Sequence, residues 1–205
     1  MYEGPIIISL KTSIVSTIIV SILGILLANL LLRREGKLKN FFESAVMLPL
    51  FMPPSLIGYI LLMIIGKRSF IGSFLYEYFD FTFIFTWYGA VIAAVITSLP
   101  IMYGSAKGAL LSIDDTYKEV AADLGATKFQ TFYKVTLPLA SKGILSGMVL
   151  SYARCFGEFG ATMMIAGNIP GKTQNIPMAI YYAVVVIIIS TTLIFIYNRL
   201  LKENK

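Results

Sequence analysis

The stretch TSIVSTIIVSILGILLANLLL, from Thr12 to Leu32, contains 21 consecutive residues without a charged side chain. An α-helix needs roughly 20 apolar residues to cross the hydrocarbon core of a bilayer, so this stretch is long enough to span a membrane. Of the 205 residues in the chain, 57% are hydrophobic and 14% are charged, which is typical of a membrane protein rather than a soluble domain.

Four further stretches have comparable length and hydrophobicity. Together with the first, they predict membrane spans at about 12–32, 44–66, 82–104, 143–165 and 177–198. The fourth contains Arg154 and Glu158 and is counted as spanning. A secretory signal peptide is the competing interpretation of the first stretch, but its apolar core is too long for a signal peptide. We therefore expect an all-α polytopic membrane protein in which residues 1–205 form a single transmembrane domain.

The distribution of Lys and Arg predicts the orientation, because positive residues are retained on the cytoplasmic side of short loops. With the segment after the third span inside, twelve basic residues lie inside and four lie outside, namely Lys11, Lys67, Arg68 and Lys172. The N-terminus then lies outside the cell membrane, and the C-terminus lies on its cytoplasmic side. These basic residues flank the spans, so anionic lipid headgroups match them better than nucleic acid.

Several kinds of site are excluded by residue type. The chain has no histidine, which excludes histidine-based catalysis and histidine metal ligands. The single cysteine, Cys155, cannot form an internal disulfide and is expected to pack within its span.

The sequence AGNIPGKT, Ala166 to Thr173, has the spacing of a nucleotide-binding P-loop. It follows a membrane helix rather than a strand, so we interpret it as an external turn.

The segment 105–142 is too polar for a span and is predicted to be cytoplasmic. Ser112 is the expected N-cap of a helix that ends at Gly125, with Tyr117, Val120, Ala121 and Leu124 on one apolar face. A second short helix follows, with Thr127 and Gln130 at capping-box spacing. Its aromatic residues are Phe129, Phe132 and Tyr133. They either pack against the protein's own helix ends or the lipid interface, or they bind a partner protein.

The same segment contains Glu119-Val120-Ala121, then Gly125 and then Val135-Thr136-Leu137-Pro138. In spacing it resembles the EAA loop of ABC-importer permeases, with Val120 and Val135 as conservative departures. The resemblance implies that the helix from Lys128 to Tyr133 docks on a separate ATPase subunit, where ATP and magnesium bind, and that this chain has no cofactor of its own. The residues that the resemblance assigns to the coupling loop are Glu119, Ala121, Ala122, Gly125, Ala126, Lys128, Phe129, Phe132, Tyr133, Leu137 and Pro138.

A second stretch indicates a narrower group within these permeases. The residues from Arg154 to Thr162, followed by those from Gly167 to Gln174, are similar to permeases for molybdate and tungstate, with sulfate and thiosulfate permeases as the alternative. This similarity implies a homodimer around a central path, two ATPase subunits and an extracytoplasmic oxyanion-binding protein. Residues assigned to the path or gate are Pro53, Pro54, Arg154, Gly157, Glu158, Phe159 and Gly160. Those assigned to the outer mouth are Asn168, Pro170, Gly171, Lys172 and Thr173.

Two questions stay open at the level of sequence. Arg154 and Glu158 are neighbours on one helix face, and either form a structural ion pair or line the permeation path. An ion-coupled secondary transporter is the more remote alternative to an ABC permease, but the spans contain few ionisable groups and no apparent inverted repeat. A membrane-bound enzyme would need a cluster of catalytic polar groups, which the spans do not supply.

Overall fold

The structure, a computed structural model, describes residues 4–181, 183–184, 187–188 and 191–192. Within these residues the chain is helical and contains no strand. The α-helices are α1 (Pro5–Leu32), α2 (Lys37–Met47), α3 (Pro54–Ile65), α4 (Phe70–Phe79), α5 (Trp87–Leu111), α6 (Asp115–Asp123), α7 (Lys128–Thr131), α8 (Leu137–Leu139), α9 (Ser141–Phe156) and α10 (Gly160–Ala166). A 3₁₀ turn (Leu48–Leu50) follows α2, and a π turn (Phe132–Thr136) follows α7. Helix resumes from 176 to 181, and half of the residues in the predicted last span, 177–198, lie outside the described residues.

The core of the molecule is a bundle of α1, α5 and α9, in which each helix packs against the other two. Helices α1 and α5 run parallel, since Trp87 donates a 2.8 Å hydrogen bond to Thr12 near their starts and Gly24 lies against Met102 further along. Helix α9 runs antiparallel to α5. A Cβ added at Gly147 would lie 2.5 Å from the Cβ of Ser105. Glycine therefore sets the close approach of these helices, as small residues do in membrane proteins.

The two small-residue pairs in the sequence differ in what they contact. Gly143 and Gly147 of α9 face α5, as their spacing predicts. Gly104 and Gly108 of α5 have the same spacing, but a Cβ added at either would meet nothing within 4 Å. Within the described part of the chain, the small-residue spacing therefore indicates a helix contact at Gly143 and Gly147 but not at Gly104 and Gly108.

Two of the predicted spans are broken helices rather than continuous ones. Among the described residues, α1 and α5 are each long and apolar enough to cross a membrane alone, and Lys37–Leu50 with Pro54–Ile65 form a pair bent by 118° that gives a third span if counted as one. The bend lies at Pro53 and Pro54, where two backbone donors are missing. The predicted span 143–165 is divided into α9 and α10 at residues 157–159.

The ends of α5 also differ from the predicted span 82–104. The helix begins at Trp87, after the Thr86 side chain caps it, and runs to Leu111. It continues past Lys107, whose ammonium group donates hydrogen bonds of 2.8 and 2.9 Å to the Glu43 carboxylate of α2. The residues between α5 and α9 are therefore 112–140, which lie within the segment predicted to be cytoplasmic, 105–142.

Helix α6 begins at Asp115, and Asp114 rather than Ser112 is its N-cap. The Ser112 hydroxyl donates to the Ala109 carbonyl at 2.8 Å, so it closes α5 and does not cap α6. The Asp114 carboxylate accepts hydrogen bonds of 2.6 and 2.8 Å from the Thr116 hydroxyl and N–H, which lower the pKa of Asp114.

Candidate functional site

The break between α9 and α10 is organised around the buried carboxylate of Glu158, which is 1% exposed. One carboxylate oxygen accepts a 2.7 Å hydrogen bond from Arg154, and the other accepts a 2.8 Å hydrogen bond from the N–H of Ala161. Glu158 therefore both pairs with a cation and satisfies a free N–H in the first turn of α10. Its negative charge is compensated within the chain.

Asn175 joins this break to the next helical segment. Its amide donates 2.9 Å to the Glu158 carbonyl, and its side-chain oxygen accepts 3.0 Å from the N–H of Met178. Sequence reasoning missed this residue. The available signal was an Asn followed by Pro177 at the start of an apolar stretch, which is typical of a helix N-terminus.

The two broken helices meet near their breaks. A Cβ added at Gly160 would lie 2.9 Å from the Cβ of Pro54, so the start of α10 touches the start of α3. One turn further, a Cβ at Gly58 would lie 2.9 Å from both the Cα and the carbonyl oxygen of Ala161. The structure thus brings the predicted path residues Pro54, Gly160 and Glu158 together. Pro53 is exposed beside them, and the Phe159 ring lies 5.4 Å from that of Tyr181.

Replacing Gly58 with Ala is expected to destabilise the protein by about 1–3 kcal/mol, because the added methyl group meets backbone atoms that cannot rotate away. Thermal unfolding of the purified chain in detergent measures the effect. The matched control is Gly104→Ala, where an added Cβ meets nothing within 4 Å. That control should be neutral or stabilising, because Ala favours helix over Gly. Equal destabilisation by both substitutions would contradict the proposed contact.

The segment from Gly167 to Thr173 forms a compact turn, as predicted. The buried Thr173 hydroxyl donates to the Gly167 carbonyl and accepts from the Ile169 N–H, both at 3.0 Å. Gly167 and Gly171 have φ of +65° and +74°, which glycine adopts without strain. The segment follows α10 rather than a strand, and its Thr side chain points back into the turn, so it lacks the geometry of a P-loop. Lys172 is exposed on its surface.

The link between α6 and α7 is fixed by backbone hydrogen bonds. Gly125 has φ of +82°, and the N–H groups of Gly125 and Ala126 donate to the carbonyls of Ala122 and Ala121 at 2.9 Å. This is the Schellman arrangement that ends a helix with a left-handed residue. Thr127 and Gln130 then form both hydrogen bonds of a capping box. The predicted helix end at Gly125 and the predicted capping box are confirmed.

The apolar face predicted for α6 is largely exposed. Ala121 is 8% exposed, whereas Tyr117, Val120 and Leu124 are between 51% and 83% exposed. Phe129 and Tyr133 of the following turn are 74% and 63% exposed, and their rings stack with centroids 6.2 Å apart. We call this set the α6–α7 surface; its members are Tyr117, Val120, Leu124, Phe129 and Tyr133.

The remaining residues assigned to this segment divide between surface and core. Phe132 and Leu137 pack against the buried cluster of α1, α5 and α9, so Phe132 does not belong to the exposed surface. The other assigned residues, Glu119, Ala122, Lys128 and Pro138, are exposed, and Ala126 is half-buried.

One polar cluster was not found from the sequence. The Tyr103 hydroxyl donates 2.9 Å to Glu43, which also pairs with Lys107. No residue of α2 is buried, so this cluster provides the polar connection between α2 and α5. Residues far apart in sequence form it, and no local pattern indicates their partner. Among the described residues, no group of three potential metal-ligating side chains is present.

Comparison of the sequence with known proteins identifies its family. A family model described as "Binding-protein-dependent transport system inner membrane component" matches residues 20–202. The molybdenum transport system permease protein ModB of Escherichia coli (strain K12) is 43% identical over 176 residues, which are 86% of this chain and 77% of that protein. ModB of Haemophilus influenzae is 41% identical over 159 residues, covering 78% of this chain and 69% of that protein.

The sulfate transport system permease protein CysT of Salmonella typhimurium is 33% identical over 174 residues, covering 85% of this chain and 62% of that protein. These similarities confirm that the chain resembles molybdate and sulfate permeases over most of its length. The chain is a member of the family of binding-protein-dependent transport system inner membrane components.

Proposed function

We propose that this chain is the transmembrane subunit of an ATP-binding-cassette importer that moves molybdate, or its analogue tungstate, into the cell. The observation that carries the substrate assignment is the 43% identity to a molybdenum permease, against 33% to a sulfate permease over a similar share of the chain. Sulfate or thiosulfate, which are also tetrahedral oxyanions, remain the alternative substrates.

We propose five spans with the N-terminus outside and the C-terminus inside, arranged as a homodimer around a central path. The path passes the junction of the broken helices, at Pro53, Pro54, Gly157, Phe159 and Gly160. Irregular backbone at membrane depth is tolerated where it is buried in protein or lines a cavity, and broken helices form the binding sites of many transporters. The contact between Gly160 and Pro54 supports this placement.

The ion pair between Arg154 and Glu158 holds the junction of the broken helices in place. An unpaired carboxylate beside the path would repel an oxyanion, but both oxygens of Glu158 are engaged within the chain. The pair therefore removes the repulsion, and the Arg154 side chain, which is 30% exposed, lies beside the break. At the outer mouth, the turn formed by Asn168, Pro170, Gly171, Lys172 and Thr173 receives the anion from an external binding protein.

ATP hydrolysis belongs to a separate subunit in this proposal. Two copies of that ATPase, which bind ATP and magnesium, dock on the α6–α7 surfaces of the dimer. Exposed stacked aromatic residues on a short helix support docking, because aromatic residues dominate the binding energy of protein interfaces. Closure of the ATPase pair moves α6 and α7, and α5 transmits the movement to the broken helices that pack on it.

The test is reconstitution of the full chain with its ATPase and its binding protein in lipid vesicles, with uptake of radiolabelled molybdate as the measurement. We expect uptake that requires ATP on the side of the ATPase and is inhibited by excess tungstate more strongly than by excess sulfate. Uptake without ATP would support the secondary transporter instead. ATP-dependent uptake of sulfate in preference to molybdate would overturn the substrate assignment but leave the importer intact.

A further inference from the structure

A cavity of about 440 Å³ lies between the end of α1, the end of α5 and the α6–α7 segment. The parallel helices α1 and α5 both end here, so the cavity lies at the level where membrane-spanning helices emerge from the hydrocarbon core. It is lined by Asn29, Leu32, Arg33, Leu110, Lys118, Ala122, Ala126, Lys128, Thr131, Phe132 and Thr136. We call it the Arg33 cavity.

The charged residues that line the Arg33 cavity are all basic. Arg33 is oriented by a 3.1 Å hydrogen bond from its Nε to the side-chain oxygen of Asn29, which leaves both Nη groups for a further acceptor. Its guanidinium also lies 6.0 Å from the centroid of the Phe132 ring. Lys118 and Lys128 complete the set, and Lys118 contacts Asp115, which does not line the cavity. The cavity is therefore electropositive.

The remaining wall is partly apolar, with Leu32, Leu110 and Phe132 among its residues. A small inorganic anion would use the basic side chains alone. A molecule with a phosphate group attached to a hydrocarbon part would use both kinds of wall, since apolar burial adds to charge pairing. Basic pockets at helix ends near the membrane surface are a recognised environment for anionic lipid headgroups.

We propose that the Arg33 cavity binds the phosphodiester headgroup of an anionic phospholipid, with Arg33 and Lys128 contacting the phosphate. The lipid would then join the end of α1 to the start of α7. The exposed pair Phe129 and Tyr133 lies on α7 and on the π turn that follows it. The position of the α6–α7 surface would depend on the anionic lipid content of the membrane. This site is separate from the oxyanion path and does not rest on the substrate assignment.

The test uses the purified full chain, stripped of lipid in detergent and titrated with phosphatidylglycerol or with uncharged phosphatidylcholine. Native mass spectrometry counts the lipids retained on the chain. A basic residue near an anionic lipid surface changes affinity by roughly fivefold, so the double variant R33Q/K128Q should bind phosphatidylglycerol about 25-fold more weakly. Phosphatidylcholine should bind weakly to both proteins.

The matched control is R34Q/K37Q, which removes two basic residues just after α1 that do not line the cavity. The control, and the charge-preserving variant R33K/K128R, should retain phosphatidylglycerol almost as well as the unmodified chain. Circular dichroism verifies that each variant keeps its helical content. The proposal is overturned if R33Q/K128Q binds phosphatidylglycerol undiminished, if the control loses as much, or if inorganic phosphate or molybdate displaces the lipid at equal concentration.

Discussion

Replacing Arg154 with Met is expected to destabilise the folded chain by about 3 kcal/mol. The substitution leaves the Glu158 carboxylate, which is 1% exposed, without its cation, and breaking a buried ion pair on one side costs roughly 3–5 kcal/mol. We take the lower end because the Arg154 side chain is 30% exposed and water screens part of the interaction. Thermal unfolding and the yield of monodisperse protein from membranes measure the effect.

The neutral pair R154Q/E158Q separates a structural role from a role in the path. Two amide side chains four residues apart can hydrogen bond, and the amide oxygen that E158Q introduces can still accept from the N–H of Ala161. We expect this double variant to recover most of the lost stability, and ATP-dependent molybdate uptake to stay within about threefold of the unmodified protein, roughly 0.7 kcal/mol. A stable double variant whose uptake falls by more than about tenfold would instead show that the Arg154 charge acts on the substrate.

Replacing Phe129 and Tyr133 together with Ala is expected to weaken binding of the ATPase by about 100-fold or more, because central aromatic residues of an interface each contribute roughly 2 kcal/mol or more. Both rings are mostly exposed in the chain alone, so their removal should leave its thermal stability nearly unchanged. Affinity of the chain in nanodiscs for its ATPase measures the effect, and ATP-dependent uptake should fall in parallel.

The chain offers a matched control in the other exposed Phe–Tyr pair at the same spacing. Phe74 and Tyr78 of α4 lie with ring centroids 4.8 Å apart and are 50% and 72% exposed. The variant F74A/Y78A should bind the ATPase normally. Phe132→Ala should show the opposite pattern, with lower thermal stability and nearly normal affinity, because Phe132 packs against the core. If F129A/Y133A binds the ATPase as well as the unmodified chain, the docking assignment fails.

The local sequence predicted the structure correctly wherever that structure depends on residues that are close together in the chain. The apolar stretch from Thr12 to Leu32 forms most of α1, and Pro53 with Pro54 predicts the break that the structure shows. Gly125 and the pair Thr127 and Gln130 specify a helix end and a helix start through hydrogen bonds to their near neighbours. Such bonds need no contact with the rest of the chain.

Local sequence was misleading where a residue has two partners to choose from. Ser112 has the chemistry of an N-cap, but its hydroxyl bonds back to α5, and Asp114 caps α6 instead. The polar segment was predicted to begin at 105, yet α5 continues to Leu111, and its Lys107 pairs with Glu43 of another helix. Which partner a polar side chain takes depends on helices that are distant in sequence.

The sequence by itself determined that this protein is a helical membrane permease, since hydrophobic length, charge distribution and the motifs around Glu119 and Arg154 are properties of the chain alone. Only the tertiary structure decided that Gly160 meets Pro54, that both oxygens of Glu158 are satisfied, and that Phe132 packs inward while Phe129 and Tyr133 face outward. The physical reason is that burial and hydrogen bonding depend on which helix faces approach one another. A helical period predicts which residues share a face, but not which neighbour that face contacts.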